Sequence, residues 1–176
     1  DWQVYHRSLA STEYLVLNSA AAKATGTTRW NSSAASSTQF TVGTDASVNA
    51  NGGSYIAYVF AHDDQSFGEN EDEAIIKCGT YTGGGSTDVS VDLGFEPQWL
   101  IVKESSHSGA DWIVLDNMRG LAQDTNDFDD SDALIKANTL AAETIDDVVN
   151  LNATGFTAMN SSLLNVSSRT YIYMAI

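Results

Sequence analysis

The stretch "GFEPQWLIVKESSHSGADWIVLDN", residues 94–117, contains two apolar runs, each with a tryptophan, separated by a short polar segment. Both runs are rich in β-branched and other apolar residues, which is typical of β-strands. The segment between them is rich in serine and ends near a glycine, as expected for a connection between paired strands. The stretch therefore predicts two strands that face each other in a hairpin.

Similar short apolar runs recur along the whole chain, between segments rich in Ser, Thr, Asn and Gly, and proline occurs only at Pro97. The strand candidates are "WQVYH", "EYLVLN", "TQFTVG", "SYIAYVFA", "AIIKCGTYT", "DVSVDL", "QWLIVKE", "WIVLDN", "GFTAM" and "TYIYMAI". Two windows also fit a helix, "SLASTEYL" and "SDALIKANTLAAE", although the second contains the strand-like "ALIKAN". This rhythm predicts an all-β fold of antiparallel, jelly-roll-like β-sandwich modules with few short helices.

The composition excludes several kinds of partner. The 176 residues include 8 Lys and Arg against 23 Asp and Glu, a formal net charge of -15. Such a charge repels phosphate backbones and anionic lipid headgroups, so we expect neither nucleic-acid binding nor binding to a membrane surface. The sequence has no run of 18 or more apolar residues, so we expect no membrane insertion. The only cysteine, Cys78, lies among apolar residues and is predicted to be a small core residue rather than a reactive thiol.

One pattern occurs twice in the chain. Residues 1–5, "DWQVY", match residues 111–115, "DWIVL", at an offset of 110, and "YLVLNSAAAK" at 14–23 resembles "LIKANTLAAE" at 134–143 at an offset of 120. At an offset of 116, Phe40-Thr41 matches Phe156-Thr157, Asn49 matches Asn165, and Tyr55-Ile56 matches Tyr171-Ile172. Matches in the same order at similar offsets indicate a tandem repeat.

The repeat predicts how the chain is divided. Residues 75–176 form one complete module, residues 1–62 form the last part of a preceding module, and the acidic residues 63–74 form a solvated linker. We expect residue 1 to mark a fragment or a processed product. A module without its first strands leaves an open sheet edge, which either the other half or a neighbouring chain must cover.

Several long phrases resemble the repeated modules of virion structural and tail-fibre-like proteins in marine tailed bacteriophages, including cyanophages. They are "DWQVYHRSLASTEYLVLNSAAAKATGTTRWNSS", "VNANGGSYIAYVFAHD", "IKCGTYTGGGS", "VDLGFEPQWLIVKESS" and "DWIVLDNMRG". The resemblance implies a non-enzymatic, extracellular virion component that serves in attachment or surface decoration. Its implied partners are copies of itself, other virion proteins and a host-surface glycan.

Aromatic side chains are the candidate ligand-binding groups, because their rings can stack on the apolar face of a sugar. The candidates are Trp30, Tyr81 and Trp99, and Trp30, in the polar context "TTRWNSS", is expected to be exposed. Aromatic residues at alternating strand positions belong more often to the core. The equivalent positions of Trp2 and Trp112 in the repeat therefore favour packing.

An acidic loop offers a calcium site as the one cofactor hypothesis, since hard oxygen ligands that are close together can surround Ca²⁺. Its candidate ligands are Asp124, Asn126, Asp127, Asp129, Asp130 and Asp132. The loop lacks the central glycine and the terminal glutamate of an EF-hand, so a solvated acidic loop is the simpler interpretation. The acidic segment 63–73 has a similar composition and no recognised spacing.

The other polar groups favour structural roles. His6, His62 and His107 share no spacing of metal ligands, and "TGGGS" at 82–86 lacks the lysine of a phosphate-binding loop and predicts a hairpin turn. Glu96 and Glu104 flank a strand as its polar ends. The sequence therefore favours binding without catalysis. The alternatives are a self-assembling filament subunit completed by a neighbour's strands, and a glycan-binding or glycan-degrading domain with two carboxyl groups in one cleft.

Overall fold

A computed structural model of the chain describes residues 1–62, 69–70, 75–121 and 132–176. Its elements are β1 (Gln3–Val4), β2 (Glu13–Val16), β3 (Ala24–Thr25), α1 (Ala46–Asn49), β4 (Lys77–Thr82), β5 (Val89–Asp92), β6 (Trp99–Glu104), β7 (Trp112–Asp116), β8 (Asp132–Lys136), β9 (Thr144–Asp146), β10 (Val149–Asn152), β11 (Gly155–Ala158) and β12 (Thr170–Ala175). Each strand pair among them is antiparallel. The fold is all β, as the sequence predicts.

Two sheets from the second half of the chain form a sandwich. One sheet has the strand order β4-β12-β6-β7-β8-β9, and the other has the order β10-β11-β5. Alternate side chains of a strand point to the same face, so Leu100 and Val102 of β6 point inward and meet Phe156 of β11 in one buried cluster. The predicted hairpin of residues 94–117 is confirmed, since β6 pairs with β7 from Trp99↔Asp116 to Lys103↔Trp112.

The first part of the chain forms a third, small sheet, in the order β1-β2-β3. Leu9 and Leu15 from this part pack with Trp112 and Ile172 in a second buried cluster. Because Ile172 alternates along β12 with Tyr171, which belongs to the sandwich core, this second cluster lies on the outer face of the six-stranded sheet.

The small sheet repeats one edge of the large sheet in the same register. β1 pairs with β2 at Val4↔Leu15, and β7 pairs with β8 at the matching positions Val114↔Ile135. β2 pairs with β3 at Tyr14↔Ala24, just as β8 pairs with β9 at Leu134↔Thr144. The three-stranded unit is therefore present twice, and the repeated sequence corresponds to a repeated structure.

A side-chain clamp holds the start of each repeated hairpin. In the first copy, Trp2 N donates to Asn18 Oδ1 at 3.0 Å, and Asn18 Nδ2 donates to Asp1 Oδ1 at 3.1 Å. In the second copy, the corresponding bonds join Trp112, Asn138 and Asp111, both at 2.8 Å. The repeated aspartate of the Asp-Trp dipeptide is thus explained by its hydrogen bond to a later asparagine, and the tryptophan contributes only its backbone N–H.

Two strand predictions are wrong, and neither window that fits a helix forms one. The segments "TQFTVG" and "SYIAYVFA" form no strand. The described residues of "SLASTEYL" and "SDALIKANTLAAE" form turns and the strands β2 and β8 instead of helices. The helix windows fail because their apolar residues are needed at strand positions in the paired hairpins. Among the described strands, none pairs with either of these two segments.

The glycine-rich segment 82–86 connects the two sheets of the sandwich, so the hairpin-turn prediction is also wrong. β4 and β5, on either side of it, belong to different sheets. Gly84 N donates to Asn165 Oδ1 at 2.7 Å, and a Cβ atom at Gly83 would lie 2.2 Å from the Val166 carbonyl oxygen. The glycines are therefore required for close contact with the backbone.

Candidate functional site

An open groove lies at one end of the six-stranded sheet, with a volume of about 720 Å³. It is lined by Ile75, Phe95, Glu96, Gln98, Trp99, Asp116, Asn117, Met118 and Ile176. Of the three aromatic residues that the sequence offers as ligand-binding groups, only Trp99 lies there. The groove is therefore our candidate functional site.

Backbone pairing fixes the position of Trp99. Trp99 N and Gln98 N both donate to the Ile176 carbonyl oxygen, at 3.0 and 2.7 Å, and Ile176 N donates back to Trp99 O at 2.9 Å. On the other side, Asn117 N donates to Gln98 O at 3.0 Å. These bonds close the ends of three neighbouring strands and leave the half-buried indole ring at the groove.

Two charged side chains, Glu96 and Asp116, line the groove beside its apolar surface. Asp116 accepts a hydrogen bond from Arg119 N at 3.0 Å and forms an ion pair with the same arginine's guanidinium group. Arg119 Nε in turn lies 3.3 Å from Glu143 Oε2. Glu96, Gln98 and Asn117 are exposed, so their polar groups remain available to a ligand.

The arrangement suits binding of a small amphipathic molecule. The rings of Trp99 and Phe95 and the side chains of Met118 and Ile75 give apolar surface, and Met118 is almost fully exposed. Beside such a surface, carboxylate groups can accept hydrogen bonds from hydroxyl groups, and amide groups can both accept and donate them. This is the chemistry that a sugar ring requires.

The expectation of an exposed Trp30 is wrong, since only 7% of this residue is exposed. Its Nε1 atom donates to the Glu13 carbonyl oxygen at 3.2 Å, and its ring meets that of Tyr5 edge to face, with centroids 5.9 Å apart. Its polar sequence neighbours indicated exposure, but the local chain folds the ring back onto the first hairpin. Trp30 is a packing residue.

Tyr81 is likewise part of the core. Its ring stacks on Tyr171 with centroids 4.9 Å apart, and its hydroxyl group donates to the Leu164 carbonyl oxygen at 2.7 Å. Burial raises the pKa of Tyr81 well above its ordinary value, and the neighbouring Tyr171 contributes a smaller increase. Its ring faces are used within the protein, as the general preference of strand aromatics for the core predicts.

Of the candidate calcium ligands, only Asp132 can be placed. Its Oδ2 atom accepts hydrogen bonds from Val148 N at 3.2 Å and Val149 N at 2.8 Å, and the residue is buried. Asp124, Asn126, Asp127, Asp129 and Asp130 lie outside the described residues. Asp132 thus joins β8 to the start of β10, a structural role.

Other candidate groups are dispersed. Across the described ranges, no group of three or more His, Cys, Asp or Glu residues is arranged to hold a metal ion. His6 Nε2 lies 3.0 Å from the Tyr173 carbonyl oxygen, and burial lowers the pKa of His6. Cys78 is partly buried, and that burial raises the pKa of its thiol. In the part of the chain that the structure describes, no helix is long and apolar enough to cross a membrane.

Sequence reasoning missed a buried charged cluster at the other end of β6. Glu104, expected as a polar strand end, is buried and accepts a hydrogen bond from Arg169 Nη1 at 2.8 Å. Lys103 is fully buried, and its Nζ atom donates to the carbonyl oxygens of Glu104 and Ala110 at 2.7 and 2.9 Å. Burial lowers the pKa of Lys103 to about 8, although Glu104 and Asp111 oppose the shift. The sequence signal for this cluster was a lysine within the otherwise apolar strand run "WLIVKE".

The chain belongs to the family described as a domain of unknown function, DUF7483, whose model matches residues 1–176. Comparisons with curated proteins and with solved structures gave no match. The family relationship therefore covers the whole chain and leaves its function to be inferred from its own residues.

Proposed function

We propose that the chain is a non-enzymatic structural module of a phage virion, in a tail fibre or another surface appendage, where it serves attachment or decoration. The observation that carries this proposal is the way in which the two repeated hairpins pack. Trp112 Nε1 of the second hairpin donates to the Val16 carbonyl oxygen of the first at 3.0 Å, and Trp112 is buried in one cluster with Leu15 and Ile172.

This packing supports an appendage because it joins successive copies of one unit by a defined contact. Further backbone bonds lie beside it: Lys23 N donates to Ser105 O at 2.9 Å, and Gly109 N donates to Ala20 O at 2.8 Å. Repeated units that contact mainly their neighbours build extended structures, which place binding loops far from their attachment point. The sequence resemblance to phage tail-fibre-like repeats supports the same role.

Mass spectrometry of purified particles tests the proposal. We expect peptides of this chain in density-purified virions of the phage or prophage whose genome encodes it, at a stoichiometry typical of an appendage protein. Immunogold labelling with antibodies raised against the chain should then mark a fibre or the particle surface. Peptides confined to the soluble fraction of lysed cells, with particles that lack them, would contradict it.

A second candidate function is glycan binding at the Trp99 groove, and the groove's composition supports it. A half-buried indole ring beside the exposed amides of Gln98 and Asn117 matches the needs of a sugar ring. Asp116 directs its carboxylate to Arg119, so a catalytic pair of Asp116 with Glu96 is the weaker alternative. We therefore propose binding without chemistry on the sugar.

Titration against a panel of host-surface oligosaccharides tests the groove. Trp99→Ala should weaken binding at least about tenfold, since stacking aromatics carry a large share of such contacts. Trp2→Ala is the matched control, because Trp2 is also partly exposed and lies outside the groove. Equal affinities in all three proteins, or no binding to any oligosaccharide, would reject the glycan hypothesis.

A further inference from the structure

Residues 54–60 form an apolar segment that the fold leaves uncovered. The exposed fractions of its large side chains are 50% for Tyr55, 76% for Ile56, 71% for Tyr58, 70% for Val59 and 50% for Phe60. No strand is assigned to these residues, and their backbone makes no hydrogen bond to the described residues. Contiguous exposed apolar surface of this kind marks an interaction site.

The segment and strand β12 share one side-chain contact at equivalent positions of the repeat. The Tyr55 hydroxyl oxygen accepts a hydrogen bond from Ala50 N at 2.7 Å, and the Tyr171 hydroxyl oxygen accepts one from Val166 N at 3.0 Å. These pairs are related by the same offset of 116 that relates Tyr55-Ile56 to Tyr171-Ile172. The start of the exposed segment thus makes the same tyrosine hydroxyl contact as the start of β12.

The preceding turn is repeated as well. Asn49 N donates to Asp45 O at 2.9 Å, and Asn165 N donates to Ser161 O at 3.1 Å, again at the same offset. In both turns the first residue's side chain caps the backbone two residues later, through Ser47 N in one and Leu163 N in the other. The equivalence therefore extends along the whole approach to the segment.

In the complete copy, β12 lies between two antiparallel neighbours. It pairs with β4 from Thr170↔Thr82 to Ala175↔Lys77, and with β6 from Tyr171↔Glu104 to Ala175↔Leu100. These neighbours and the layers packed on them leave Tyr171 fully buried and Ile172 only 2% exposed. The matching residues Tyr55 and Ile56 have the same chemistry and lack such neighbours among the described residues.

Phe40 is a second exposed apolar residue whose counterpart in the other copy is buried. Phe156 of β11 is fully buried and pairs with Val91 of β5, whereas the matching Phe40 is 49% exposed and belongs to no strand. The missing contacts of both elements thus correspond to β4, β5 and β6, which are consecutive in the chain. One continuous segment could supply all three.

We propose that residues 54–60 together with Phe40 form a docking face for the β4–β5–β6 segment of another module of the same repeat. The β4-like and β6-like strands pair with residues 54–60 on its two sides, and the β5-like strand pairs beside Phe40. Main-chain hydrogen bonds supply affinity in such strand addition, and alternating side chains supply register. The inference rests on the repeated register and is independent of the proposed function.

An extended chain tests the docking face. A copy of residues 75–110 is placed directly before Asp1 of the full chain, which reproduces the order in which residue 110 precedes Asp111. Hydrogen exchange of the amides of residues 54–60 should slow at least about a hundredfold relative to the unextended chain, because ladder bonds now protect them. The added segment should show protection of its own.

Two controls separate docking from a general effect of extra residues. Thr80→Pro with Val102→Pro, made only in the added copy, should abolish the protection of residues 54–60, since proline cannot continue these strands. Val59→Asp should leave the unextended chain folded, because Val59 is exposed there. In the extended chain, it should remove the protection, since the matching Ala175 is fully buried.

Two results would overturn the proposal. One is an extended chain in which residues 54–60 exchange as fast as in the unextended chain while the rest of the fold is intact. The other is an unextended chain that already forms a stable dimer in which residues 54–60 are protected, which would assign the face to a second copy through self-pairing. Light scattering on both proteins distinguishes the two cases.

Discussion

The two hairpins that begin with Asp-Trp share their register and their clamp, yet their tryptophans lie in different surroundings. Trp112 is 4% exposed and its indole donates to Val16 O, whereas Trp2 is 51% exposed and contacts Tyr58 with ring centroids 5.8 Å apart. The difference arises from what lies beside each hairpin. β6 borders the second hairpin and the first hairpin covers it, while no described strand borders β1 on its free side.

The comparison teaches that the hairpin forms by local interactions and that its neighbours decide what it buries. The clamp uses groups fewer than thirty residues apart, Asp111 with Asn138 and Asp1 with Asn18. Burial of Trp112 requires Leu9 and Leu15 from the other copy. A unit of this kind can be repeated, since each copy offers a surface for the next.

Removal of the two indole rings gives the largest expected contrast. Trp112→Ala should lower the free energy of unfolding by about 3–5 kcal/mol, the usual cost of deleting a buried aromatic side chain. Trp2→Ala should change it by no more than about 0.5 kcal/mol, as for most surface substitutions. Urea unfolding followed by circular dichroism measures both variants, and similar losses in the two would refute the assigned difference in burial.

The clamp asparagines give a smaller contrast. Asn138→Ala removes the acceptor of the part-buried Trp112 backbone N–H, and leaving such a donor unpaired costs up to about 1–3 kcal/mol. Asn18→Ala should lower the free energy of unfolding by only a few tenths of a kcal/mol, because Asn18 is exposed and water can replace its side chain. The same unfolding assay applies. A larger loss for Asn18→Ala would mean that the first hairpin depends on its clamp more than the second does.

Lys103, paired with Trp112 in the sheet, gives the smallest effect and one confined to the second hairpin. Its pKa is about 8 in the folded protein, below the ordinary 10.5, so above pH 8 the unfolded chain binds the extra proton. Stability should therefore rise with pH from about 8, by at most about 1.4 kcal/mol per pH unit. Lys103→Met should remove this rise.

The comparison of Lys103→Met with the unaltered protein is best made between pH 8 and 9. Cys78 and the tyrosines Tyr171 and Tyr173 have raised pKa values, from ordinary values of 9.0 and 10.0, and oppose the rise at higher pH. Their contribution is common to both proteins and cancels in the difference. Identical pH profiles would show that Lys103 does not titrate as its burial requires.

Strand positions were predictable where a pattern and a neighbour coincided. "QWLIVKE", "WIVLDN" and "TYIYMAI" became β6, β7 and β12, because each has adjacent strands in the large sheet. "SYIAYVFA" has an equally strong pattern and forms no strand. An alternating pattern shows that a segment can form a strand. Whether the strand forms depends on a neighbouring strand with which it can pair.

The candidate site was predictable only in part. Trp99 was proposed from its residue type and lies in the groove, but Trp30 and Tyr81 were proposed on the same grounds and are buried. Residue type says that an aromatic ring can bind a sugar. Whether a ring face is free depends on contacts between residues far apart in the chain, such as Tyr81 with Tyr171.

The sequence by itself determined the all-β class, the alternation of strands and the repeat, because these follow from side-chain periods and from internal matches within the chain. Only the tertiary structure decided that one tryptophan of the repeat is buried and the other exposed. It also decided that Lys103 and Glu104 are inside, and that residues 54–60 are uncovered. The physical reason is that a side chain is buried only when a second surface packs against it. A sequence pattern describes the first surface and does not say which other part of the chain covers it.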